Sequence, residues 1–154
     1  MRVLRHIDMD MLLMRPVIAW MLAFDLQHCT GLEQLMICIE LACNDQRGPV
    51  RWEGSLHAVK ALLCAHTHLP LQKVSLALYL GRFTVDWLIY VTYIDVGGWG
   101  PLEDALLGFE TLQQVEIHVN SLRHPGEEYR RAMVRDCIEK MTGLHARGML
   151  SLKF

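Results

Sequence analysis

A chain of 154 residues with 52% apolar and 21% charged content has the material for one sizeable core and is not a disordered segment. A net charge of −2, a sequence pI near 6.4 and no basic run longer than two residues exclude an electrostatic footprint for nucleic acid or an anionic membrane. Five cysteines at irregular spacing, with no signal-like start, predict thiols in a reducing compartment, cytoplasmic or nuclear.

The first element predicted is a strand in the window Leu4 to Met11, with Ile7, Met9 and Met11 on one face and His6, Asp8 and Asp10 on the other. Pro16 suits the first turn of an apolar helix over Val17 to Phe24. Arg15, Pro16 and Asp25 keep the segment from Met11 to Leu26 well short of the roughly 20 apolar residues that a membrane span needs. A second strand window starts at Leu32, and the cluster Asn44 to Pro49 is a turn. From Trp52 to His68 the apolar spacing becomes helical, with Trp52, Leu56, Val59, Leu62, Leu63 and His66 on one side. Leu69-Pro70 stops that helix, because the residue before proline avoids the α region.

A third strand window starts at Leu71. The β-branched and aromatic run from Phe83 to Ile94 favours extended structure, and Gly97-Gly-Trp-Gly-Pro101 reads as a breaker. Pro101 then opens a short helix with Leu102, Ala105, Leu106 and Phe109, followed by the fourth window at Leu112. Glu127 to Thr142 is an amphipathic helix repeating Tyr129, Met133, Cys137 and Met141 at i+4, with Gly143 as its C-terminal cap. Leu150, Leu152 and Phe154 form a last strand.

The four windows share one form: apolar at positions one, four, six and eight, polar at two and three. They start at Leu4, Leu32, Leu71 and Leu112, at spacings of 28, 39 and 41 residues, which reads as a stacked α/β repeat. Strands separated by helices pair in parallel. Setting the windows side by side gives inner columns Ile7, Leu35, Val74, Val115 and Met9, Ile37, Leu76, Ile117. The outer columns are His6, Gln34, Lys73, Gln114, then Asp8, Met36, Ser75, Glu116, then Asp10, Cys38, Ala77, His118. In a solenoid such outer columns make the partner-binding sheet face. The candidate partner-binding residues are therefore Lys73, Ser75, Tyr79, Gln114, Glu116 and His118.

Catalytic and metal signals are weak. Cys64, His66 and His68, with His57 two turns away, group soft ligands near one helix end but lack a C-x-x-C partner pair, so no metal is expected. Glu103 and Asp104 are neighbours that point apart on a helix, and a solvated face is expected for them. Gly97-Gly-Trp-Gly lacks the Lys-Ser/Thr of a P-loop, and no G-x-S-x-G or H-E-x-x-H occurs, so neither a cofactor nor an enzymatic activity is expected.

Three pieces carry a resemblance: Leu112-Gln-Gln-Val-Glu-Ile-His-Val, Asp86-Trp87, and the ending Leu144-His-Ala-Arg-Gly-Met-Leu-Ser-Leu. Together they resemble the leucine-rich-repeat-like region of F-box-type proteins of mushroom-forming fungi. The resemblance implies a non-enzymatic recognition domain whose repeats bind a protein destined for ubiquitination. In complete members of that family an N-terminal F-box docks the adaptor of a cullin-RING ligase. The Leu-Pro-x-Glu opening of an F-box is absent from this chain, so the resemblance does not carry adaptor docking over to it. Only the window at Leu112 keeps the template asparagine, as Asn120, while Glu40 and Tyr79 stand in its place elsewhere. Residues 88–100 depart from the pattern as a variable loop or an insertion.

The expectation is an α/β fold: one leucine-rich-repeat-like domain over residues 1–154, a short solenoid with a parallel sheet of about five strands and helices on the convex side. Apolar ends at Met1 to Leu4 and Leu150 to Phe154 lead to the expectation that the domain is incomplete. Its expected function is binding a protein partner, with no nucleic acid or membrane involved. The alternative is a small α/β enzyme or ligand binder with a site at the strand C-terminal ends, around Cys43, Asn44, Tyr79, Arg82 and Asn120.

Overall fold

The computed structural model describes residues 6–11, 26, 28–41, 52–80, 99–121 and 127–153. The helix expected over Val17 to Phe24, the turn at Asn44 to Pro49 and the extended run from Phe83 to Ile94 lie outside the described residues.

The windows are strands: β1 (His6–Met11), β2 (Gln34–Leu41), β3 (Lys73–Leu80) and β4 (Gln114–Ser121), followed by β5 (Leu150–Lys153). All pair in parallel, and they follow one another across the sheet in chain order. The register is the one that the columns predict. Ile7, Leu35, Val74 and Val115 stand opposite one another, as do Met9, Ile37, Leu76 and Ile117. β5 adds Leu150 to the first column and Leu152 to the second. A one-residue slip would turn every apolar side chain to the wrong face, which is why the period-2 pattern specifies the register so strongly.

Between the strands lie α1 (Trp52–Ala65), α2 (Trp99–Leu107), α3 (Glu127–Lys140) and α4 (Thr142–Ala146). One core cluster joins Leu35, Ile37, Val74, Leu76, Val115 and Ile117 of the inner columns to Leu56, Val59, Leu62 and Leu63 of α1, to Leu102, Ala105 and Leu106 of α2, and to Cys137 and Leu144. The described helices therefore cover the same face of the sheet. Leu35, Ile37, Val74, Leu76, Val115 and Ile117 are all at most 2% exposed, each worth about 1.5–3 kcal/mol of hydrophobic burial.

The strands also begin alike. The Glu33 carbonyl accepts from the Gln72 and Lys73 amides at 2.8 and 3.1 Å, and the Gln72 carbonyl accepts from Gln113 and Gln114 at 2.8 and 3.1 Å. Before each of β2, β3 and β4 runs a pair of i→i+3 turns: Leu26–Cys29–Leu32, Leu63–His66–Leu69 and Leu106–Phe109–Leu112. The second turn pair lies two residues farther from its strand than the other two, because Pro70 and Leu71 intervene.

His66 occupies the place in its turn that Phe109 fills one unit later. It is buried, and its Nε2 accepts from the Leu26 amide at 3.1 Å while Nδ1 donates to the Leu62 carbonyl at 2.8 Å. Those two bonds select the tautomer with the proton on Nδ1. The ring thus ties the end of α1 to the preceding unit. His66→Phe keeps the volume of the turn but leaves the Leu26 amide without this acceptor. It should cost about 2 kcal/mol, read as a lower urea midpoint at unchanged m-value.

Four local expectations are corrected. The helix beginning at Trp52 ends at Ala65, and residues 66–68 form turns instead of a further helical turn. α2 begins at Trp99, not Pro101, and Trp99 is buried at 2% exposure, so Trp99, Gly100 and Pro101 are helical. Pro101 still sits in the first turn, where its missing N–H costs nothing.

Glu103, expected on a solvated face, is buried, and its Oε1 accepts the Leu144 amide at 2.9 Å. α4 has Met141 at its N-cap without a side-chain cap bond, so a carboxylate from α2 satisfies the third helical amide instead.

The last correction concerns the end of the 127–142 helix. α3 stops at Lys140, and Gly143 lies inside α4. A Cβ at Gly143 would sit 3.1 Å from Leu107 Cδ1 and 3.3 Å from Glu103 Oε1, so a side chain there would require those neighbours to give by a few tenths of an ångström. The stop is Gly148, at φ 67°. The Met149 amide bonds the Leu144 carbonyl at 3.0 Å and the Gly148 amide bonds His145 at 2.9 Å, the Schellman arrangement, which turns the chain into β5. A Cβ at Gly148 meets nothing within 4 Å. Gly148→Ala should therefore carry only the backbone cost, about 1 kcal/mol, or a melting shift of about 2–4 °C by calorimetry.

Candidate functional site

Along each strand, alternate side chains leave the core and point to the other face. Lys73, Ser75, Gln114, Glu116 and His118 belong to that set, and the parallel register brings them together. Ser75 stands directly opposite Glu116, and Lys73 opposite Gln114. β5 places Lys153 opposite His118. Glu116 is thus ringed by same-face neighbours two residues away on its own strand and by direct and diagonal neighbours on the strands to either side.

The carboxylate is 5% exposed and its oxygens are fully engaged. Oε1 accepts from Lys153 Nζ at 2.6 Å and from Gln114 Nε2 at 3.0 Å. Oε2 faces Lys73 Nζ at 2.9 Å and His118 Nε2 at 3.0 Å, with Ser75 Oγ farther off at 3.5 Å. Burial alone pushes the Glu116 carboxyl up. The hydrogen bonds from Lys153, Lys73 and His118 and the attraction of the Lys73 charge outweigh it, and hold the group at about 2 against an ordinary value of 4.5. The donors around it remain accessible, with Lys73 31%, His118 30% and Lys153 50% exposed.

The expectation of an exposed face is corrected at two positions: Ser75 and Glu116 are buried. The amphipathic alternation tells which face a residue takes, whereas burial on that face depends on the long side chains that neighbouring strands fold over it. The surface is offered by Lys73, Gln114 and His118. Tyr79 pairs with Asn120 through the backbone, and both side chains lie outside the described residues. Lys153 was missed by sequence reasoning, although extending the outer columns to the last strand would have placed it beside His118.

No protein-family model, curated protein or solved structure matches this chain. Its chemistry is therefore read from its own residues.

Of the soft-ligand group, His66 is buried in its structural role while Cys64, His57 and His68 are exposed, and the His66 and His68 rings stand 6.0 Å apart. Among the described residues no group of three His, Cys, Asp or Glu could hold a metal ion. None of the described helices is long and apolar enough to cross a membrane. The residues expected for a site at the strand C-terminal ends, Cys43, Asn44 and Arg82, lie outside the described residues. A described cleft of about 400 Å³ lies at the opposite ends of the strands, beside Gln34, Lys73 and Gln114, the first residues of β2, β3 and β4.

Proposed function

We propose that this chain is a non-enzymatic protein–protein interaction module: a short leucine-rich-repeat-like solenoid of about five parallel strands with helices on its convex side, resembling the substrate-recognition repeats of an F-box-type ubiquitin-ligase subunit. It binds a protein partner through the sheet face turned away from the helical core, in the cytoplasm or nucleus, without nucleic acid or membrane.

The observation that carries this reading is the Glu116 cluster. Two lysines and a histidine are held in fixed places on that face by a buried carboxylate, yet keep a third to a half of their surface exposed. Side chains positioned in this way lose less freedom on binding than unrestrained lysines do. Two further features support it. Strands follow in chain order, without the order reversal that forms a ligand crevice in doubly wound sheets. Their starts repeat the same backbone bonds at a spacing near 40 residues, as stacked units do.

The test is affinity capture with the wild-type chain and with a Lys73→Ala, Gln114→Ala, His118→Ala variant. Proteins retained by the first and lost by the second, with the variant still folded by circular dichroism at the capture temperature, support the reading. An identical retained set places the partner surface elsewhere.

A further inference from the structure

The first residues of β2, β3 and β4 and the approach to β5 frame the cleft beside the Glu116 cluster. Its polar lining consists of the glutamines Gln34, Gln72, Gln113 and Gln114, with Lys73 and Ser151. We propose that this cleft takes a carboxylate from an acidic segment of the partner, laid along the sheet face. The proposal rests on the interaction-module reading and specifies the partner's chemistry.

Three observations carry it. The first is the lining: four glutamines, a serine and a lysine, with no carboxylate among the described lining residues. Amides can serve either sign of ligand, but Lys73 makes the lining positive, so a cation is disfavoured and an anion is welcome. The second is local charge. Lys73 and Lys153 together face one carboxylate, Glu116, so that cluster of three holds one more positive charge than negative. An ammonium has three donors, so Lys73 can keep its 2.9 Å contact with Glu116 and still meet a second carboxylate in the cleft.

The third observation separates a protein acid from nucleic acid. No arginine or aromatic side chain is among the described lining residues, so the stacking platform and the guanidinium forks that hold single strands and phosphates are missing from the lining. A carboxylate bonded by amides and one ammonium needs neither.

The experiment pans a phage-displayed random dodecamer library on the full 154-residue chain. The best enriched peptides are then synthesised and titrated by fluorescence anisotropy. A Gln72→Glu, Gln113→Glu variant adds two carboxylates to the cleft at exposed positions and leaves Glu116 and its partners in place. Enriched sequences should carry an excess of Asp and Glu. Their Kd should rise at least tenfold in that variant, and also on raising the salt, at an unchanged melting temperature.

Neutral or basic peptides that lose binding when Lys73, Gln114 and His118 are replaced by alanine would overturn the acidic specificity and keep the interaction-module reading. Peptides indifferent to both variants, or no enrichment, would overturn both. A twelve-nucleotide single strand that binds tighter than every acidic peptide would overturn the proposal in favour of a nucleic-acid ligand.

Discussion

Glu116→Gln will destabilise the chain by about 2 kcal/mol at neutral pH, and the difference from wild type will vanish as the solution is acidified. A carboxyl lowered from 4.5 to about 2 corresponds to roughly 3 kcal/mol of preferential interaction with its charged form. Solvent at the partially exposed cations screens part of this, Lys153 being half exposed, which brings the expectation to about 2 kcal/mol.

The sign follows from the direction of the shift. Because the folded value lies below the ordinary one, the contribution is fully present above pH 4.5 and is lost as pH falls through that value toward 2. Glutamine imitates the protonated acid, so near pH 2 the two proteins should unfold alike. Urea unfolding at several pH values between 7 and 2.5 measures the difference directly. A gap that stays constant across the window would mean that the loss comes from packing and not from the charge.

The same cluster shows what a sequence carries and what it leaves to the fold. The inner and outer columns were legible because a period-2 strand has only two faces, and four windows of one form can stack in register in one way. Lys73, Gln114, Glu116 and His118 therefore fall on one face by the pattern alone. The depth of Glu116 was not legible, since it depends on Lys153 reaching from β5 to β4 from 37 residues away.

The close of α3 failed for a related reason. Lys140 and Gly143 have the local chemistry of a helix end, and so do Arg147 and Gly148. What decides between them is non-local: the Glu103 carboxylate, 41 residues from Leu144, caps α4. Leu107 and Glu103 press against Gly143, leaving the positive-φ stop to Gly148. Sequence patterns record faces and periods well, and they record tertiary capping poorly.

Trp99→Ala should have the largest effect in the chain, about 4 kcal/mol. Flanked by glycines and followed by Pro101, Trp99 reads locally as part of a loop, where truncation would cost a few tenths of a kcal/mol. In the fold it is 2% exposed, the first residue of α2, and a member of the cluster that joins α1, α2 and the inner sheet face. Removing a buried indole forfeits its transfer free energy and leaves a cavity that a close-packed interior closes only in part, typically 3–5 kcal/mol together.

A domain of this size holds about 5–15 kcal/mol of stability, so the variant should lose a large fraction of it and remain folded only under mild conditions. Trp99→Phe keeps most of the apolar volume and should lose less than half as much. Chemical unfolding of the two variants beside wild type separates the cases. Near-equal, small losses would place Trp99 at the surface, whereas a graded loss fits an indole anchoring the start of α2 against the sheet. Because α2 carries Glu103, the carboxylate that caps α4, loosening its start should also weaken the turn into β5 and with it the position of Lys153 over Glu116. Amide exchange at Leu144 and Met149 should then rise in Trp99→Ala more than exchange at Ile37, which β2 holds at the far side of β3.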